Sequence, residues 1–369
     1  MLKHIVAFTF AAALSQAAIA ADQQSISVYN WNDYIDPAVI EDFTKETGIK
    51  VNYGTYETAE DLEKIAASDS ADVVSPGLDL VARFIKSDLI QPYNARTIGG
   101  YDDIQSIIRA RMFSQDPTGQ YIMPYMWGRV GILIDRKAAE AALGEPITAT
   151  WDTLFNLEKV QKLSQCGVSF LDARDYVYSL GLNYSGEPLD FPTNRAIQRY
   201  TDLLMAIRPH LKVVDSADHL DLAPKGELCV TMVWEGDAVA IQADRPDLEF
   251  VLPEEGSVMF IDTMAISKKA KNPEGARKWI EFMSRKDIAL RNARYTSYNS
   301  PNMFVLDEMA IEHEAQTKEA SVSIDGVPVF MSVAAKGKQA QMFADAWQRF
   351  VRGDDKIAAT PAAAPVSYQ

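Results

Sequence analysis

The chain has 369 residues, 47% apolar and 24% charged, an ordinary globular composition at a length that suits two domains. Its formal charge of −15 argues against nucleic acid and anionic membrane surfaces as partners and is compatible with a cationic ligand. His210, His219 and His313 lack metal-ligand spacing, and no G-x-S-x-G, P-loop or G-x-G-x-x-G motif occurs, so no metal, no cofactor and no enzyme activity is expected.

Residues 1–20 read as a secretory signal peptide: Lys3, an apolar run from Ile5 to Leu14, then Ala18-Ile19-Ala20 before the cut. The run is too short to span a membrane, and no cysteine follows the cut to carry a lipid. A soluble periplasmic protein is expected, with a monomer as its working state.

Ile26-Ser27-Val28 alternates as a strand, and Asp36-Pro37 opens a helix with Val39, Ile40 and Phe43 on one face and Gly48 past its end. Between them, Trp31-Asn32-Asp33-Tyr34 sets aromatics around a carboxylate at the end of a strand, where open α/β sheets place ligands. A carboxylate beside an indole suits an organic cation. Taken alone, the loop equally fits a helix capped by Asp33 with aromatics in the core.

Ile49 to Tyr53 alternates as a second strand, Thr58 to Ala67 reads as a helix with Asp61 three residues after a Thr cap, and Ala71 to Val74 is a short buried strand. Such alternation predicts an α/β fold with a mostly parallel sheet. Pro124 and Gly128 within Tyr121–Asp135 predict a crossing between lobes rather than a central strand. A second βα series follows from Lys137, with an amphipathic stretch from Asp190 to Ile207. Leu228 to Trp234 is the clearest strand and ends in the acidic loop Glu235-Gly236-Asp237.

Phe250 to Pro253 predicts a second crossing. Asp262 interrupts the apolar run Ser257 to Met264, where a carboxylate must be satisfied or functional. Asn272-Pro273 opens a helix with Ala276, Trp279, Ile280 and Met283 facing inward, Tyr295 to Asn302 is loop-like, and a last helix runs through Met342, Trp347 and Phe350. The expected division is 24–127 with 248–298 in one lobe, 128–247 with 299–355 in the other, and a disordered Ala/Pro-rich tail at 356–369. In an oxidising compartment Cys166 and Cys229 predict one disulfide, with two buried free thiols as the alternative.

Three aromatic–acid pairs stand out: Trp31/Asp33, Trp234/Asp237 and Phe260/Asp262, with Tyr298 similar in type. Each alone reads as a core aromatic beside a surface acid. Together, at strand ends of a two-lobed chain, they predict a cleft for a cationic, partly apolar solute.

At these residues the chain resembles the periplasmic polyamine-binding proteins, the putrescine/spermidine receptors of ABC importers. The blocks YNWNDYI, FTKETGIKV, MPYMWG, CGVSFLDA, GELCV…WEGDA and PEEG…FIDTMAI carry the resemblance across nearly the whole chain after the signal peptide. It implies the two-lobed type II binding-protein fold with a double crossover, a polyamine held between the lobes, closure on binding, and docking on an inner-membrane ABC permease. It also implies a disulfide between Cys166 and Cys229. By motif it assigns ligand contacts to Trp31, Asn32, Asp33, Tyr176, Ser216, Trp234, Asp237, Phe260, Asp262 and Tyr298. Two positions depart from the pattern: Gly77 stands where a serine is usual, and Tyr176 where an acid often follows the FLDA motif. Glu235 is a candidate to compensate for the lost acid. A different organic cation, an amino-acid derivative or a sensory role on the same scaffold are the alternatives.

Overall fold

The computed structural model describes residues 25–189, 192–316, 328–332 and 338–353. The expected signal peptide and C-terminal tail lie outside them. The strands are β1 Ser25–Trp31, β2 Lys50–Tyr56, β3 Val73–Val74, β4 Ile90–Gln91, β5 Ile122–Ile134, β6 Val168–Phe170, β7 Val213–Val214, β8 Val230–Trp234, β9 Glu249–Val251, β10 Ser257–Ser267 and β11 Val329–Met331. Helices separate most of them, as the alternation predicts.

The chain forms two compact units. The first comprises the chain up to Arg129, Trp234–Ala240 and the stretch from Met259; the second comprises Val130–Val233, Ile241–Val258 and the C-terminal stretch. In the first unit the strands run β2-β1-β3-β10-β5, with β1 parallel to β2 and β3, and β10 antiparallel to β3 and β5. Local chemistry sets these elements. Asp36 caps helix Pro37–Thr47 by accepting from the Ala38 amide at 2.9 Å, and Gly48 ends it at φ 72°, a left-handed conformation that glycine adopts without steric cost. Phe43 packs edge-on against Trp279 and Phe282 in this unit's core.

In the second unit β6 is parallel to β7 and β8, and β9 is antiparallel to β5. Trp151, Phe155, Phe170 and Tyr200 form its aromatic core. The Cys166–Cys229 disulfide is present, with Cα atoms 5.5 Å apart, and ties the approaches to β6 and β8.

Three readings are corrected. Tyr121–Asp135 holds a continuous strand of 13 residues, not a bare crossing. Pro124 borders a bulge: the register steps from Asp262↔Met126 to Thr263↔Pro124 and leaves Tyr125 without a partner, and bulges are among the places where sheets accept proline. Phe250 and the residues around it stay with the second unit because β9 pairs with β5 (Leu133↔Phe250); the chain returns to the first unit at Met259 instead. Trp234–Ala240 and residues 299–316, expected in the other lobe, group with the first unit, where Trp127 and Asn299 form a bridge.

Candidate functional site

Eight of the ten predicted residues fall in the first unit: Trp31, Asn32, Asp33, Trp234, Asp237, Phe260, Asp262 and Tyr298. β1 delivers Trp31 as its last residue, and the chain then turns through Asp33 at φ 50°. That left-handed backbone is uncommon outside glycine and is tolerated best by short polar side chains such as Asp. Asp33 is exposed and does not cap the helix, a role taken by Asp36. Asn32 donates to Glu57 Oε1 at 3.2 Å on the rim of an open pocket of about 230 Å³ that Tyr56 and Asp61 also line.

Asp262 lies in the middle of β10, not at a strand end, and is almost wholly buried. Trp31 Nε1 donates to its Oδ1 at 3.1 Å and the Tyr34 hydroxyl to its Oδ2 at 3.0 Å. Burial first, and the nearby Asp79 carboxylate as a smaller cause, raise the Asp262 carboxyl to about 7 against the two donated hydrogen bonds, which pull it down. The Tyr34 phenol is pushed well above its ordinary value, first by burial and then by Asp262.

The second acid is placed by β8. Trp234 ends that strand, and helix Glu235–Asp244 begins at once, so the predicted acidic loop is a helical first turn. Tyr298 donates its hydroxyl to Asp237 Oδ1 at 2.7 Å. Rings connect the two acids: Tyr34 meets Tyr298 edge-on at 5.1 Å, Tyr298 meets Phe260 at 5.8 Å, and Phe260 meets Trp234 at 5.2 Å. Gly236 is required beneath them, since a Cβ there would stand 2.6 Å from Tyr298 Cγ. Two carboxylates joined by aromatic faces can bind ammonium groups at the acids and methylenes along the rings.

Tyr176 and Ser216 belong to the second unit. Tyr176 is half-buried in the first turn of helix Arg174–Tyr184, and Ser216 follows β7 in a turn whose amides Asp215 accepts. Sequence reasoning missed Tyr34 and Asp79. Tyr34 adjoins Asp33, so only burial separates their roles. Asp79 had a signal in Gly77: a Cβ at position 77 would lie 2.7 Å from Asp79 Oδ1 and 3.7 Å from Asp262 Oδ1, so the Asp79 carboxylate fills the space a serine would take. Glu235 does not compensate for the acid missing at Tyr176. Its carboxylate accepts from the Arg129 amide, Nε and Nη2 and is buried with that guanidinium.

Residues 38–320 match the family model of the bacterial extracellular solute-binding proteins. The chain belongs to that family. Among its curated relatives, the putrescine-binding periplasmic protein SpuD of Pseudomonas aeruginosa is 33% identical over 78% of this chain and 80% of its own. The putrescine-binding periplasmic protein PotF of Escherichia coli is 31% identical, over 79% and 81%. The spermidine/putrescine-binding periplasmic protein of Salmonella typhimurium is 33% identical, over 82% and 84%. Among solved structures, the spermidine/putrescine ABC transporter substrate-binding protein PotD of Streptococcus pneumoniae superposes with a TM-score of 0.71 at 25% identity, covering 89% of this chain and 99% of that one. The resemblance read from the motifs is borne out, and with it the two-lobed α/β binding-protein fold. The family is one of solute-binding proteins of transport, not of enzymes.

Proposed function

We propose that this solute-binding protein captures a linear polyamine of the putrescine–spermidine class in the periplasm and, as a monomer, delivers it to the permease of an ABC importer. The observation that carries the reading is the pair Asp262 and Asp237, each held by a tyrosine hydroxyl and joined by aromatic rings. One ammonium end pairs with each acid, and Trp31, Trp234, Phe260 and Tyr298 cover the methylenes. Asn32, Asp33, Tyr176 and Ser216 supply further polar contacts. The names of the relatives agree with this ligand class. With Glu235 committed to Arg129, a ligand with one ammonium end and a polar, uncharged far end is the second reading, favoured by Tyr176 in place of an acid.

The test is calorimetric titration of the protein with putrescine, cadaverine, spermidine, spermine and agmatine. Tight binding of one or two of these is expected, and Asp237→Ala weakens it at least about tenfold through loss of a charge-assisted hydrogen bond. No heat and no thermal shift with any of the five would overturn the reading.

A further inference from the structure

Arg129 and Glu235 form a buried ion pair, their side chains 5% and 8% exposed. Their chain neighbours reach the groups already described. Glu235 stands between Trp234, whose ring meets Phe260, and Gly236-Asp237, on which Tyr298 packs and to which it donates. Arg129 follows Gly128, where a Cβ would lie 2.7 Å from Phe260 Cζ and 3.4 Å from Tyr298 Cδ1. The pair therefore joins two backbones whose adjacent residues contact the same two rings. The attachment is rigid: Glu235 Oε2 accepts from the Arg129 amide at 3.0 Å and from Nε at 2.9 Å, Nη2 binds Oε1, and the guanidinium lies 5.6 Å from the Trp127 ring centroid. A buried pair of this kind contributes little net stability against an apolar replacement, because desolvation offsets the attraction; its planar fork fixes orientation instead.

We propose that the Arg129–Glu235 pair is a positioning device for Asp237 and Trp234, fixing their spacing from Asp262 and so setting which separation of ammonium groups the site accepts. The inference rests on the proposed amine-binding reading. The carboxylate of Glu235 is not a ligand group, and Arg129 neutralises it so that the site's negative charge stays on the aspartates.

The test uses the intact protein and two diamines that differ by one methylene, putrescine and cadaverine. Dissociation constants are measured for the unaltered protein, Glu235→Gln, and the double variant Arg129→Met/Glu235→Met, each with and without Asp237→Asn. Coupled residues give non-additive effects, so the discrimination between diamines is expected to shrink to within about threefold in both variants, and the Asp237→Asn penalty to fall from about tenfold to under about threefold. Arg129→Lys keeps the buried charge without the fork and supplies the same two readings should the other variants not fold. Unchanged discrimination and a full Asp237→Asn penalty in a folded variant would overturn the positioning role while leaving the proposed function standing. Absence of diamine binding by the unaltered protein would overturn that function first, and this role with it.

Discussion

Asp262 is an acid that folding weakens, and its energetics couple stability to binding. Its carboxyl moves from 3.8 in the ordinary state to about 7 in the fold. Between those values the folded protein holds more proton at this group than the unfolded chain, so its contribution to stability falls as pH rises through that window. Above pH 7 the cost reaches about 4 kcal/mol, taken from the size of the displacement. Asp262→Asn is therefore expected to melt higher than the parent at pH 8 without ligand, and the difference should vanish toward pH 4; calorimetry across that range checks it. An ammonium ion favours the ionised acid, so binding by the parent near pH 6 should release a proton and weaken as pH falls. Titrations in buffers of different ionisation enthalpy measure this, and the Asn variant should show no such release from position 262. Asp79→Asn removes a neighbouring negative charge and Gly77→Ser displaces the Asp79 carboxylate, so both should lower the Asp262 midpoint in a carboxyl NMR titration. An unmoved midpoint in both would remove Asp79 from the site's electrostatics.

At the scale of elements, the site depends on how abruptly β8 becomes helix Glu235–Asp244. Gly236 lies under the Tyr298 ring, so Gly236→Ala should push that ring off Asp237. Overpacking of this kind costs about 1–3 kcal/mol, and urea unfolding should show it alongside weaker amine binding. Most elements were legible because their signals are local: Asp36 and Gly48 bracket one helix, Thr58 caps the next, and Asn272 accepts from the Gly275 amide to start a third. The misreadings arose where a distant strand decides. Pro124 argues against a strand only in a regular ladder, and here it borders the bulge at Asp262/Thr263. Tyr295 and Thr296 read as loop from their aromatic and polar neighbours, yet they continue helix Lys286–Thr296, whose last turn is held by Thr296 Oγ1 donating to the Asn292 carbonyl at 2.9 Å.

At the scale of the molecule, the chain passes between its units after Arg129, Val233, Ala240 and Val258, so neighbours in sequence serve different units. The disulfide acts within one of them. It closes a separation of 63 residues in the second unit, which in the chain-entropy model stabilises by about 4 kcal/mol. Replacing both cysteines with alanine is expected to lower hydrogen-exchange protection at Val168–Phe170 and Val230–Val233 and to spare Val28 and Ala265 in the first unit. Equal loss in both units would mean that the molecule unfolds as a single cooperative body.

Most strands and helices and the family were legible in the sequence, because caps, periodicity and motif blocks are properties of short stretches; the cysteine count allowed one disulfide without excluding free thiols, and the fold made the pairing. Which donor holds which acid follows from the fold alone. Trp31 and Tyr34 reach Asp262 across separations of 231 and 228 residues, and Glu235, a candidate ligand group by sequence, is taken by Arg129 across 106. Partnership, burial and the resulting proton affinity come from packing between distant segments, and no local pattern encodes them.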